Sequence, residues 1–267
     1  MTDAPSRPAP SFLAVGSGAE VRQIARRSFP GAAPALLWLG GYRSDMLGGK
    51  AERLSALAER DGLGFCRFDY SGHGESGGDF IDGTISRWLE EAKAVLAAMP
   101  AGPVILVGSS MGCWIALRLV AELRKAGAGK RIAGLLLLAP APDFTRRLVE
   151  PALSEVQKAD LIAKGFCTEP SAYSPEPTIY TKALLDDGAA NLVMEELIET
   201  GCPVHVIQGM MDPDVPFGHA LDLVTLLPSE GVVLTLIRDG DHRLSRESDL
   251  ARIEQAVRDL VSQARQD

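Results

Sequence analysis

Val104-Ile105-Leu106-Val107-Gly108-Ser109-Ser110-Met111-Gly112 is an apolar run closed by a glycine-flanked serine, and Cys113-Trp114-Ile115-Ala116-Leu117-Arg118-Leu119-Val120 follows it. The first four residues are β-prone, and the segment after Gly112 reads as a helix buried on most sides. A strand, G-x-S-x-G and a helix in succession form the context of a nucleophile elbow, where a serine stands in a sharp turn with its hydroxyl clear of the sheet. Side chains two positions before and after that serine would collide, so the turn demands glycine at both places. Ser110 is the middle residue and the candidate nucleophile; a turn centred on Ser109 loses both glycines. So short a pattern also arises by accident, and its weight depends on partners elsewhere in the chain.

Working outward, apolar strands alternate with helices. Phe12 to Val15 and Val21 to Ala25 flank Gly16-Ser17-Gly18 and read as an antiparallel hairpin. Ala35-Leu36-Leu37-Trp38-Leu39 is a continuous apolar strand of the kind found inside a parallel sheet, followed by a helix over 50–60 and a strand from Gly64 to Phe68. After Thr84, a suitable N-cap, Ile85, Trp88, Leu89, Ala92, Val95, Leu96 and Met99 make one stripe at helical spacing. Gly134 to Ala139 is the sixth strand. Such alternation implies βαβ units, a mostly parallel sheet and helices on both faces.

The pattern breaks at Pro140 and resumes at Val204-His205-Val206-Ile207-Gln208, then Val232 to Ile237, then a helix carrying Leu250, Ile253, Val257 and Leu260. The stretch between, with prolines at 142, 151, 170, 175 and 177, reads as helices and irregular segments, and insertions of that length are usually functional. The expected organisation is an α/β core from 1–139 and 201–267 with a helical cap over 140–200.

Bulk properties narrow the class. The 267 residues are 46% hydrophobic and 23% charged, enough for a sizeable core. A net charge of −8 with scattered basic residues argues against nucleic acid or an anionic membrane as partner. No apolar run has membrane-spanning length. The four cysteines show neither paired nor metal-ligand spacing, so reduced thiols and no metal are expected. The polar, proline-rich start has no signal or transit pattern, and a cytoplasmic location is expected. Oligomeric state is open.

A hydroxyl nucleophile needs a base within reach, and the base needs a group that fixes its tautomer. Four histidines are available. His205 lies in a strand, His73 in a glycine-rich turn, and His219 at the start of what reads as a surface helix. His242, in Asp239-Gly240-Asp241-His242 directly after the last strand, sits where open α/β sheets place their sites. The loop Gly209-Met210-Met211-Asp212-Pro213-Asp214 leaves the preceding strand, and both its aspartates qualify as the third group. Asp212, nearer the strand, is preferred. An oxyanion would be held by the Met111 N–H, at a helix N-terminus, and by the Tyr42 N–H in the loop opened by Gly40-Gly41. Phe144, Tyr173, Met210 and Met211, with Phe166 and Tyr180, would give an apolar wall for an acyl group.

Taken together these residues resemble the serine α/β-hydrolase superfamily along nearly the whole chain. Gly40-Gly41, Asp69-Tyr70-Ser71-Gly72-His73-Gly74-Glu75-Ser76, Gly209 to Pro216 and Gly240-Asp241-His242 carry the resemblance. A narrower likeness rests on Gly41-Tyr42-Arg43-Ser44-Asp45-Met46, Arg67 to Gly72, Val107 to Gly112, Tyr173-Ser174 and Asp241-His242-Arg243. These look like the palmitoyl-protein thioesterase and acyl-glucuronide esterase family and its bacterial relatives. That resemblance implies an α/β-hydrolase fold and cofactor-free cleavage of small-molecule esters, thioesters or acylated substrates, with Ser110, Asp212 and His242 as triad. A carbon–carbon bond hydrolase, an amidase or a non-enzymatic binding module on the same fold are the alternatives.

Overall fold

The computed structural model describes residues 9–171 and 174–266. The first six strands are β1 (Ser11–Val15), β2 (Arg22–Phe29), β3 (Ala32–Leu39), β4 (Leu63–Phe68), β5 (Val104–Ser109) and β6 (Ile132–Leu138). Among them lie the helices α1 (Gly49–Arg60), α2 (Ile85–Ala97) and α3 (Met111–Lys125). An insertion follows: a π-helical turn over Thr145–Val149, α4 (Glu150–Ala152), α5 (Glu155–Lys164), β7 (Phe166–Glu169), β8 (Thr178–Thr181) and α6 (Lys182–Ala189). The chain then re-enters the sheet with β9 (Val204–Gly209), α7 (Phe217–Thr225), β10 (Val232–Ile237) and α8 (Glu247–Ala264).

Eight strands form one sheet in the order β1-β2-β4-β3-β5-β6-β9-β10. β1 and β2 join antiparallel, β2 meets β4 antiparallel, and every other pairing is parallel. Alternation along each strand divides the core in two. Leu37, Leu39, Val104, Leu106, Leu135 and Leu137 face the layer holding α2, α3 and α7. Leu36, Trp38, Ile105, Val107, Leu136 and Leu138 face the layer of α1 and α8. Strands buried on both faces need apolar residues at every position, which is why they read as unbroken runs. Thr84 caps α2 by accepting the Arg87 N–H at 3.2 Å, so the apolar stripe starts where the sequence places it.

Two differences from expectation stand out. The insertion is not purely helical, because β7 and β8 pair antiparallel as a separate two-stranded sheet. These strands are four residues each, too short to show an alternating pattern amid prolines. His219, expected on a surface helix, is buried and joins Nε2 to the Pro142 carbonyl at 2.9 Å, tying α7 to the start of the insertion.

Candidate active site

The site assembles at the carboxyl edge of the sheet, from the loops that leave β3, β5, β9 and β10. Ser110 links β5 to α3 with φ 54° and ψ −119°, a conformation that L-residues disfavour. Three backbone bonds hold it there: its N–H donates to Leu138 at 2.9 Å, and its carbonyl accepts from Cys113 at 3.0 Å and Ala141 at 3.3 Å. The flanking glycines answer to space. A Cβ on Gly112 would stand 2.1 Å from the Leu39 carbonyl oxygen, and one on Gly108 would stand 2.7 Å from that of Gly112. Helix α3 is thereby pressed against the end of β3, with Met111 as its first residue.

The loop after β3 lies alongside. A Cβ on Gly41 would fall 3.3 Å from that of Ser110, so the backbone at Gly41 runs directly past the serine and Tyr42 follows it. The Tyr42 ring stacks on Tyr180 at 5.8 Å, also packs on Phe80, Trp88 and Phe144, and its hydroxyl donates to the Ile179 carbonyl of β8. Burial drives that hydroxyl's pKa upward, so it remains a donor. Arg43 reaches the insertion as well, donating to the Pro177 carbonyl and pairing with Glu176 at 3.6 Å.

Asp212 and His242 meet across the far side. His242 Nδ1 and Asp212 Oδ2 are 2.8 Å apart. Asp212 is buried, and its Oδ1 accepts the N–H groups of Asp214 at 2.9 Å and Val215 at 2.8 Å. Gln208, wholly buried at the end of β9, donates to Asp212 Oδ2 at 3.1 Å and to the Val215 carbonyl at 3.0 Å. So many donors fix Asp212 as an acceptor-only carboxylate. With that acceptor at Oδ2, the Nδ1 of His242 carries the hydrogen and Nε2 is the basic nitrogen. Lys50 on α1 donates to the carbonyl of Arg243, next to His242. Burial pulls the Lys50 ammonium down to about 8 against the opposing pull of Asp241.

Asp212, Asp214 and His242 present polar atoms within 4.8 Å of one another. Within this cluster His242 Nδ1 and Asp212 Oδ2 share a hydrogen, which gives the pair the form of a hydrogen-bonded dyad. Of the expected wall, Phe144 is buried against Tyr42 and Trp114, Met210 is half-buried and Met211 is 64% exposed, while Tyr173 lies outside the described residues. Sequence reasoning missed Gln208 as the partner of Asp212. A polar residue closing an otherwise apolar strand was the available sign.

Comparison with known proteins agrees with this architecture. A palmitoyl-protein thioesterase of mouse, ABHD10, named as mitochondrial, is 29% identical over 252 residues, covering 94% of this chain and 82% of that protein. The solved structure of mouse alpha/beta hydrolase domain-containing protein 10 superposes with a TM-score of 0.84 at 28% identity, covering 96% of this chain and 99% of that one. A crystallised protein of Agrobacterium vitis S4 gives a TM-score of 0.92 at 55% identity, covering 96% of this chain and all (100%) of the other. Residues 30–256 match the alpha/beta hydrolase family, and the chain belongs to it.

Proposed function

We propose that this protein hydrolyses carboxylic esters or thioesters through an acyl-enzyme on Ser110. Ser110 attacks the acyl carbon as His242 Nε2 takes its proton, and Asp212 holds the imidazole and stabilises the imidazolium. The tetrahedral oxyanion is met by the N–H groups of Met111 and Tyr42, each such donor being worth about 10²–10³ in rate. His242 returns the proton to the departing alcohol or thiol, then activates a water that frees the acid and regenerates Ser110. The observation that carries this reading is the Asp212–His242 bond of 2.8 Å at the strand edge that also presents the strained Ser110.

Residues 140–200 act as a cap over the acyl group, with Phe144, Met210 and Met211 at its wall. The relatives named palmitoyl-protein thioesterases support acyl thioesters among the substrates. A fluorophosphonate probe tests the class: the wild type is labelled and Ser110→Ala is not. An unlabelled wild type points instead to a binding module. Comparing rates on p-nitrophenyl esters and on aryl thioesters then ranks the leaving groups.

A further inference from the structure

We propose that His73 is a positioning residue for the oxyanion loop: its Nε2 accepts the backbone N–H of Arg43 and thereby fixes the neighbouring Tyr42 N–H. This deepens the hydrolase reading above and rests on it.

The hydrogen bonds of His73 determine its tautomer. The Arg43 N–H, an obligatory donor, lies 3.1 Å from Nε2. Nε2 must therefore be the bare nitrogen, and Nδ1 bears the hydrogen that it gives to the Ser71 carbonyl at 3.1 Å. Both ring nitrogens are committed to backbone groups, and the ring is enclosed by Tyr70, Phe80 and Trp88. Burial pushes its pKa down to about 4, so the imidazole stays a neutral acceptor at ordinary pH. Its support is rigid in turn. The Ser71 carbonyl also accepts Trp88 Nε1 at 3.2 Å, and the Ser71 N–H donates at 2.8 Å to Glu91, which is paired inside the core with Arg22 at 2.6 Å.

What His73 restrains is a conformation that the loop does not choose freely. Arg43 sits at φ 57°, where glycine is comfortable and arginine is not, in a turn closed by Ser44 N–H to Gly41 O at 3.1 Å. The His73 bond anchors this turn to the buried Ser71–Trp88 support, so the turn cannot shift as a body, and the Tyr42 N–H, one residue before the anchored N–H, is held with it. Asp69 clamps the far end of the same segment, accepting the Met46 N–H at 2.6 Å.

Asparagine and glutamine separate the two nitrogens' duties. His73→Asn can keep the bond to Ser71 but cannot reach Arg43, whereas His73→Gln sets a carbonyl where Nε2 stood. On an aryl ester, His73→Asn is expected to lower kcat by about 10²-fold with KM within about threefold, and to weaken an alkyl boronic acid inhibitor by a similar factor. His73→Gln recovers at least about tenfold of that loss. Replacing Arg43 by glycine removes the strain, so Arg43→Gly/His73→Asn is more active than His73→Asn alone. Nitrogen NMR of the wild-type imidazole reads the tautomer independently of any variant, with Nε2 unprotonated at neutral pH. The proposal is overturned by an Nε2–H tautomer, by wild-type kcat in His73→Asn, by unchanged boronate affinity, or by glutamine doing no better than asparagine. If Ser110→Ala is dead while His73→Asn is normal, only the role of His73 fails; if Ser110→Ala keeps full activity, the hydrolase reading itself fails.

Discussion

Gly209 and Gly240 cross where β9 and β10 leave the sheet, so closely that a Cβ on Gly209 would lie 2.4 Å from the Gly240 carbonyl oxygen. The Met211 N–H donates to that same oxygen at 2.8 Å, which locks the two loops at the spacing that lets Asp212 reach His242. Gly209→Ala must push backbone from backbone. It is expected to cost about 1–3 kcal/mol of stability and to reduce hydrolysis more than tenfold even where the fold is intact. Gly218 in α7 has open space around it, and Gly218→Ala is expected to be neutral or stabilising by about 0.5–1 kcal/mol. Thermal melts of both variants, with rates taken below the melting range, check the contrast.

Ser110 sits at φ 54° because the elbow requires it, at the expense of stability. Ser110→Gly relaxes the turn and Ser110→Ala does not, so the glycine variant is expected to be the more stable of the two by about 1 kcal/mol. Both lose turnover. Denaturant midpoints of the two inactive variants compare the strain directly, and equal midpoints speak against it.

The two aspartates of the acid loop differ in setting, and their variants are expected to differ accordingly. Asp212→Asn removes the acceptor that fixes the hydrogen on Nδ1, and kcat should fall by about 10³–10⁴-fold. Asp214 is exposed, whereas Asp212 is buried and bonded to His242 Nδ1, so Asp214→Asn should fall less than about tenfold. Steady-state rates on one ester settle the ranking, and the reverse order would move the orienting role to Asp214.

His73 and Asp69 make opposed contributions to stability in acid. Burial lowers His73 from 6.5 to about 4, so the unfolded chain binds a proton that the folded chain refuses. Its stabilising contribution is present above about pH 6.5 and is lost as pH falls towards 4. Asp69 is raised from 3.8 to about 6, mainly by burial, so folding takes up a proton and stability grows as pH falls through that window. His73→Gln leaves the Asp69 effect alone. Relative to wild type, the variant should gain about 2–3 kcal/mol between about pH 7.5 and about pH 4.5. Paired melting curves across that range test the sign.

Much of this was legible in the chain because buried parallel strands leave an unmistakable trace. Leu135 to Leu138 and Val104 to Val107 are covered on both faces, and their unbroken apolarity betrayed the sheet. Asp212 and His242 were chosen by the same logic, as polar residues just past strand ends, and the structure brings them within 2.8 Å of each other. The β7–β8 pair escaped notice because it packs one short strand on another amid prolines and has no buried alternation to display. The bond of His73 to Arg43 was invisible for a different reason: it depends on which backbone group a long loop brings to a buried side chain, and no spacing rule encodes that.

Tyr42 belongs to two neighbourhoods at once. Its backbone continues from Gly41, which passes Ser110, while its ring and hydroxyl are fastened to Tyr180 and Ile179 in β8. Under the proposed hydrolysis, reshaping the insertion to admit a bulkier acid pulls on the loop that passes Ser110. Preference and speed would then shift together, and a chimera carrying a relative's 140–200 stretch is expected to import that relative's tempo along with its taste.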